Sequence, residues 1–284
     1  AGPLPDELPV PELLFGALDV VQPGWTLFNL TNTFDNVPLH VVLVDEEGRY
    51  RWIHERSGPY PGLDTDVRFS DQGISIGGTT HQDTPSLIDW EGHILWSGEF
   101  FNHHEFRPVP GKTGRFFAFT GEKKACGTEF NSQVVVEHDL ETKEHVWEWR
   151  LCEHWMPPEV VKDWSHLNTI DVFPAVDALL LSSRDQNTLF KVSYPEGELL
   201  WGLGEQGDFA YDPGMQFYHQ HDPQLTPDGT ILMFDNGLHD QREWSRALEI
   251  AYDPETMTAE TVWEFRPEPD IYAPVWGDAD RLPN

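Results

Sequence analysis

The chain has 284 residues, and its 49 acidic against 18 basic side chains leave a formal net charge of −31, which excludes DNA or RNA as a partner because such a surface repels phosphate. No apolar stretch approaches the ~20 residues of a membrane span. No cleavable leader precedes Ala1, so the numbering reads as that of a mature secreted or periplasmic chain. The acids read as a solvated anionic surface. Structural calcium is the one cofactor the composition leaves open, at turns such as Asp64-Thr65-Asp66 or Asp235-Asn236, although no EF-hand-like spacing occurs.

Residues 1–23 read as an N-terminal extension. Beyond them the chain repeats itself. One half-unit runs from an apolar stretch through an acidic turn to a second apolar stretch that ends in Trp: His40 to Trp52, Ser86 to Trp96, Val134 to Trp149, Leu189 to Trp201 and Leu248 to Trp263. Alternating apolar positions around Glu-Gly, Asp-Pro or Pro-Glu-Gly tips predict β-hairpins. A second half-unit, two strands around a Pro/Gly/Asp turn, precedes most of them: Val67 to Gly77, Glu105 to Phe119, Thr169 to Ser183 and Asp222 to Phe234. The hairpins recur at roughly 45 to 60 residues, the spacing of propeller blades.

The expected architecture is therefore all-β, a six-bladed β-propeller over residues 24–284 with four-stranded antiparallel blades. Blades are expected at 24–55, 64–100, 103–151, 165–206 and 218–266, with 12 Trp and 17 Phe filling the space between them. A sixth blade would begin near Val275 and stop in mid-blade at Asn284. A ring left open there exposes two sheet edges, so a second copy of the chain or another partner is expected to close it. The two cysteines, Cys126 and Cys152, fall in one blade, and a disulfide between them would pin the polar insertion from Gly121 to Asn131.

Histidines beside acids and amides mark the starts of three units: His103-His104-Glu105, Asp163-Trp-Ser-His-Leu-Asn168 and His219-Gln-His-Asp222. Imidazole suits nucleophilic and proton-transfer chemistry near neutral pH. Equivalent places in a radial repeat would bring these groups to one axis.

Several separated stretches, in order, carry a family resemblance: Asp163 to Asn168, Leu180-Leu-Ser-Ser-Arg184, Trp201-Gly-Leu-Gly204, Gln220-His-Asp222, Pro227 to Leu232, Phe234-Asp-Asn-Gly237 and Ser245-Arg246. Together with His103-His104 before a Pro-Gly turn, they resemble the bacterial arylsulfotransferases from about Trp25 to Asn284. The resemblance implies a six-bladed propeller that moves a sulfuryl group from a phenolic sulfate ester to a phenol through a sulfohistidine, without a nucleotide donor.

The same resemblance implies residue roles. His221 matches the nucleophile, His166 and Asn168 match the sulfate-binding pair, and Arg184 matches a guanidinium clamp. His104 matches the general acid/base, and Arg246 is a further candidate for the anionic pocket. Glu105 stands where the family has Asp. His103 and His219 read as bystanders, because consecutive strand residues point to opposite faces. The stretch Ala125 to Asn131 and the loop Glu205 to Gln216, with Phe209, Tyr211, Phe217 and Tyr218, could line an aromatic mouth or pack the rim.

Two other readings stay open. In one, His104, His166, Glu105 and His221 hold a divalent metal for hydrolysis or elimination, a reading that the Arg184 charge opposes. In the other, the propeller is a non-catalytic interaction or surface-assembly module.

Overall fold

The computed structural model describes residues 23–32, 37–56, 66–78, 84–122, 126, 132–157, 159–160 and 163–282. Most of the expected extension therefore lies outside the described residues, as do Asp64, Thr65 and most of the Gly121 to Asn131 insertion.

The described residues form five antiparallel meanders. The first sheet has three strands, β1 (Trp25–Asn32), β2 (Val37–Asp45) and β3 (Tyr50–Arg56). The second comprises β4 (Val67–Ser70), β5 (Gly73–Ile76), β6 (Ser86–Ile88) and β7 (Ile94–Ser97); the third comprises β8 (Phe106–Pro108), β9 (Arg115–Glu122), β10 (Ser132–Asp139) and β11 (Glu144–Trp149). The fourth holds β12 (Leu167–Val172), β13 (Ala178–Ser183), β14 (Thr188–Ser193) and β15 (Leu199–Gly204), and the fifth β16 (His221–Leu225), β17 (Ile231–Asp235), β18 (Arg246–Asp253) and β19 (Thr258–Phe265). Inner strands of successive sheets touch, β1 with β4, β4 with β8 and β12 with β16, which is the radial order of a propeller. Among the described residues no helix is long and apolar enough to cross a membrane.

The expected acidic turns form for a local reason. The first turn residue is Asp45, Asp89, Asp139 or Asp253, and each carboxylate accepts backbone N–H groups two to four residues on, for example Arg49 N at 2.8 Å and His93 N at 2.8 Å. A short acceptor at that position mimics a turn carbonyl, so part of the anionic composition is hairpin chemistry.

Between sheets the packing is apolar and layered. Val41, Ile74 and Ile88 fill the first gap, Leu87, Phe106 and Val134 the second, Phe117, Trp149 and Leu179 the third, and Leu180, Trp201 and Met233 the fourth. Three tryptophans of the outermost strands latch one blade to the next. Trp52 Nε1 donates to the Trp90 carbonyl at 2.8 Å, Trp147 Nε1 to the Pro195 carbonyl at 2.8 Å and Trp149 Nε1 to the Gly197 carbonyl at 2.9 Å. Cys126 and Cys152 are bonded, with an S–S distance of 2.03 Å.

The expected sixth blade is a correction: among the described residues five sheets are present, and the segment 266–282 forms no strand. Its backbone is committed elsewhere. The Ala273 and Trp276 carbonyls accept from the Asn236 side chain, and Gln224 Nε2 donates to the Ala279 carbonyl at 3.1 Å and to the Asp278 and Asp280 carboxylates. Trp276 and Gly277 have φ of 59° and 119°, and the Gly277 Cα sits so close to the Phe234 ring that a Cβ would lie 2.3 Å from it. A chain bent this way and stapled to the fifth blade cannot run as a new inner strand.

Candidate active site

Three chain entries into inner strands build the site. His104 precedes β8, His166 and Asn168 open β12, and His221 opens β16. Antiparallel pairing then adds Arg184, whose N–H donates to the His166 carbonyl at 3.0 Å just beyond β13. His104, Asn168 and His221 line an axial cavity of about 570 Å³, walled by β1 on one side and by the segment Trp276 to Leu282 on another, whereas His166 and Arg184 lie outside its lining.

The backbone at these entries is not ordinary strand. His104, Asp163, His166, His219 and Asp222 have φ of 58°, 59°, 33°, 51° and 42°. Left-handed conformations cost bulky residues free energy, and their clustering at one place is the pattern of a functional site. Gly77 makes the His104 bend feasible, since a Cβ there would meet the His104 carbonyl at 1.9 Å.

The bends also change which histidines face the axis. Alternation predicts that His103 points away from His104, yet their ring centroids lie 4.0 Å apart and His103 is 5.3 Å from His166. His219 likewise contributes, its carbonyl lying 3.0 Å from His221 Nδ1. For His103 the bystander reading fails because side-chain alternation requires extended φ, which His104 lacks; His219 lies two residues from His221, where alternation sets no opposite face, and it contributes its carbonyl.

His221 Nδ1 meets two acceptors, Asn236 Oδ1 at 2.7 Å and the His219 carbonyl at 3.0 Å. Nδ1 therefore carries the ring proton, and Nε2 keeps its lone pair. Burial, helped by the Arg184 and His166 charges and opposed by the Asn236 hydrogen bond, lowers His221 to about 4. A neutral, singly oriented imidazole faces the cavity.

His104 sits 6.3 Å from His221 and 5.6 Å from His166, ring centre to ring centre. Burial, then His103, His166, His221 and Arg184, hold it well below the ordinary histidine range. Its Nε2 and the Oδ1 of Asn168 are buried with no partner. The Asn168 amide donates to the Gln220 carbonyl at 2.8 Å, and His166 Nδ1 lies 2.6 Å from Asp163. Burial opposes ionisation of Asp163, but the His166 contact overcomes it and lowers the carboxyl. Arg184 rests on Asp185 at 2.6 Å and on the Pro274 carbonyl at 3.3 Å.

Below the histidines the axis is ionic. Arg68 meets Asp222 at 2.6 Å, Asp66 at 2.8 Å and Glu105 at 3.3 Å, while Arg107 meets Asp171 at 2.6 Å and Glu105 at 3.4 Å. Glu105 thus turns away from His221 into this network. Burial and Asp66 push its carboxyl up, against the pull of Arg107 and Arg68, to about 8.

Arg246 lies elsewhere. Its guanidinium is used within the fifth blade, on Asp235 at 2.8 Å, Glu264 at 2.8 Å and the carbonyls of Gly214, Met215 and Gln216. Asp235 also carries Arg242 and the Tyr218 N–H, and Asp66 carries Arg68, so these two acids of the expected calcium turns already have partners. Phe209 and Phe217 pack in the core between the fourth and fifth blades, on the rim-packing side of the two readings.

For a metal, the ring nitrogens of His103, His104 and His166 lie within 4.8 Å of one another, as do donor atoms of Asp163, His166 and Asp185. Glu105 and His221 join neither set.

Arg68, Asn236 and Asp163 were given no role in the chemistry of the site from sequence. Arg68 sits in an ordinary strand pattern and carries no signal. Asn236 lies in the Phe234-Asp-Asn-Gly237 stretch and was legible as a motif, though not as a partner of His221. The role of Asp163 follows from its place three residues before His166.

Solved structures similar to this chain include propeller domains. A protein from Lactobacillus plantarum is 11% identical with a TM-score of 0.49, covering 86% of this chain and 67% of its own. The Myceliophteria thermophila Cps50 (Swd1) β-propeller domain is 14% identical with a TM-score of 0.47, covering 80% and 64%. The WD40 domain of Toxoplasma gondii coronin is 9% identical with a TM-score of 0.45, covering 84% of this chain and 55% of its own, so this chain spans little more than half of it. No curated protein matches. The model of the arylsulfotransferase (ASST) family matches residues 25–284, and the chain belongs to that family.

Proposed function

We propose that the protein transfers a sulfuryl group from an aryl sulfate ester to a phenol, with His221 Nε2 as the nucleophile. The observation that carries the reading is the protonation of His221: Nδ1 is engaged by Asn236 and His219, burial keeps the ring neutral, and Nε2 is left with its lone pair beside the cavity.

In the first half-reaction Nε2 forms an N–S bond as the S–O bond to the aryl group breaks, and the bonding pair departs with the phenolate. The sulfated ring keeps its Nδ1 proton, so positive charge develops where Asn236 Oδ1 accepts. His104 supplies the proton that the phenolate takes. Burial, and then the field of His103, His166, His221 and Arg184, keeps His104 neutral before substrate arrives. A bound sulfate monoanion reverses that field and draws a proton onto it. In the second half-reaction an incoming phenol attacks sulfur, loses its proton to His104, and returns the N–S pair to Nε2.

Arg184, His166 and the remaining amide hydrogen of Asn168 are the donors for the sulfuryl oxygens, whose charge is greatest in transit. Exchange of Asp185 for the sulfuryl group would let the Arg184 fork engage two oxygens at once. The disulfide suits an oxidising compartment, in keeping with a secreted or periplasmic location.

Intact-mass measurement after incubation with an aryl sulfate tests the reading. One added sulfuryl group of about 80 Da that a phenol discharges supports it, and no adduct with several aryl sulfates points to the interaction-module reading instead. The three imidazoles of His103, His104 and His166 favour a metal as the second reading. Activity lost to a chelator and restored by a divalent ion would select it.

A further inference from the structure

We infer that Asn236, clamped by the segment Ile271 to Trp276, is a positioning residue that sets the tautomer of His221. The inference rests on His221 being the nucleophile, and it follows from the amide's two unlike ends. Asn236 Nδ2 donates one hydrogen to the Ala273 carbonyl and the other to the Trp276 carbonyl, each at 2.6 Å. Both amide hydrogens are thereby used, so the end facing His221 Nδ1 at 2.7 Å is the oxygen, which can only accept. A flipped amide would set its oxygen against two carbonyls and its hydrogens against the ring.

The clamp is closed on itself. Ser245 Oγ donates to the Asn236 carbonyl at 2.8 Å and accepts the Ala273 N–H at 2.9 Å, while the Ser245 N–H donates to the Ile271 carbonyl at 2.8 Å. Asn236 and Ser245 are fully or almost fully buried, where hydrogen bonds are not traded with water. The segment that does not form a sixth blade therefore has work at the axis: two of its carbonyls orient one amide, and that amide orients one imidazole. The His219 carbonyl also accepts from Nδ1, so the role of Asn236 is separable only by substitution.

The test reads the tautomer directly, by side-chain nitrogen NMR of histidine-labelled intact protein without any substrate. Wild type should show His221 protonated at Nδ1. Asn236→Ala should populate the Nε2–H form and lower kcat about tenfold or more with KM little changed, a loss on the scale of one hydrogen bond. Asn236→Asp keeps an acceptor but adds a negative charge. It should retain the Nδ1–H form and move the acid limb of the kcat/KM profile upward by about one pH unit or more.

Should Asn236→Ala fail to fold, Ser245→Ala loosens the clamp from the side and should give a smaller change in the same direction. A wild-type ring protonated at Nε2, or a folded Asn236→Ala protein with unchanged tautomer, overturns the inference. The NMR result needs no sulfate transfer, so it stands apart from the fate of the sulfohistidine reading.

Discussion

The gap between the third and fourth blades and the axial cavity are built on opposite terms. In the gap Phe117, Trp149, Leu179 and Leu181 are at most 3% exposed, and two indole N–H groups reach carbonyls of the next blade. At the axis the buried groups are imidazoles, amides and ion pairs, several backbones are left-handed, and His104 and Asn168 keep polar atoms without partners. Apolar layers stabilise the ring by burial. The axis draws on that stability to hold groups in states they would not adopt in water. Substitutions at the axis should therefore change rate with little change in stability, and substitutions in the gap should do the reverse.

The largest expected effect breaks the axis. His221→Asn should abolish both the burst of phenol and the mass adduct, lowering turnover by at least ~10³-fold, about 4 kcal/mol, since an amide is a poor nucleophile. Its melting temperature should stay near that of wild type, and unchanged turnover would remove His221 from the mechanism. Trp149→Ala is the matching probe of the gap. Loss of the ring and its bond to Gly197 should cost about 3–5 kcal/mol in a denaturant titration, with kcat retained in the folded protein.

The disulfide comes next. Replacing Cys126 and Cys152 by Ser should cost about 2–4 kcal/mol and leave the rate intact, because neither cysteine lines the axial cavity. Arg184→Lys should bind the ester but lose about tenfold in kcat through the lost fork. Steady-state kinetics separate the two terms, and a change confined to KM would make Arg184 a simple anchor.

Acidity gives the mildest test. His221 is lowered to about 4 in the folded chain, against about 6.5 when unfolded. Between those values the unfolded state binds more protons, so stability falls as pH drops from about 6.5 toward about 4. The buried His104 adds in the same direction. His221→Asn should flatten this fall by about 1–3 kcal/mol in melting curves taken across that range. Conversely, binding of an aryl sulfate should weaken as pH rises through neutrality, by at most about tenfold per pH unit if His104 takes up one proton. Calorimetry in buffers of different ionisation enthalpy reads that proton.

How far the chain could be read depended on the range of the forces involved. Alternation, acidic turn residues and terminal tryptophans repeat locally, so the hairpins and the propeller class were legible, and the two cysteines could be paired because no others compete. The roles expected of His104, His166, Arg184 and His221 came instead from the resemblance of their motifs to the arylsulfotransferases. What failed was inference from an average rule. His103 was assigned outward by strand alternation, and Val275 onward was assigned to a sixth blade by periodicity, but positive φ at His104, Trp276 and Gly277 breaks both regularities; alternation never applied to His219, which is two residues from His221.

The amino-acid pattern alone thus determined an all-β radial repeat, its turn chemistry and the set of histidines brought near one axis, since each follows from the period of a strand and the spacing of a blade. Only the tertiary structure decided that five sheets form, that Arg246 serves the blade while Arg68 and Arg107 serve the axis, and that Asn236 and the carbonyls of Ala273 and Trp276 govern the His221 proton. Those outcomes hang on which donor meets which acceptor across tens of residues of sequence, and a hydrogen bond is won by distance and angle in space.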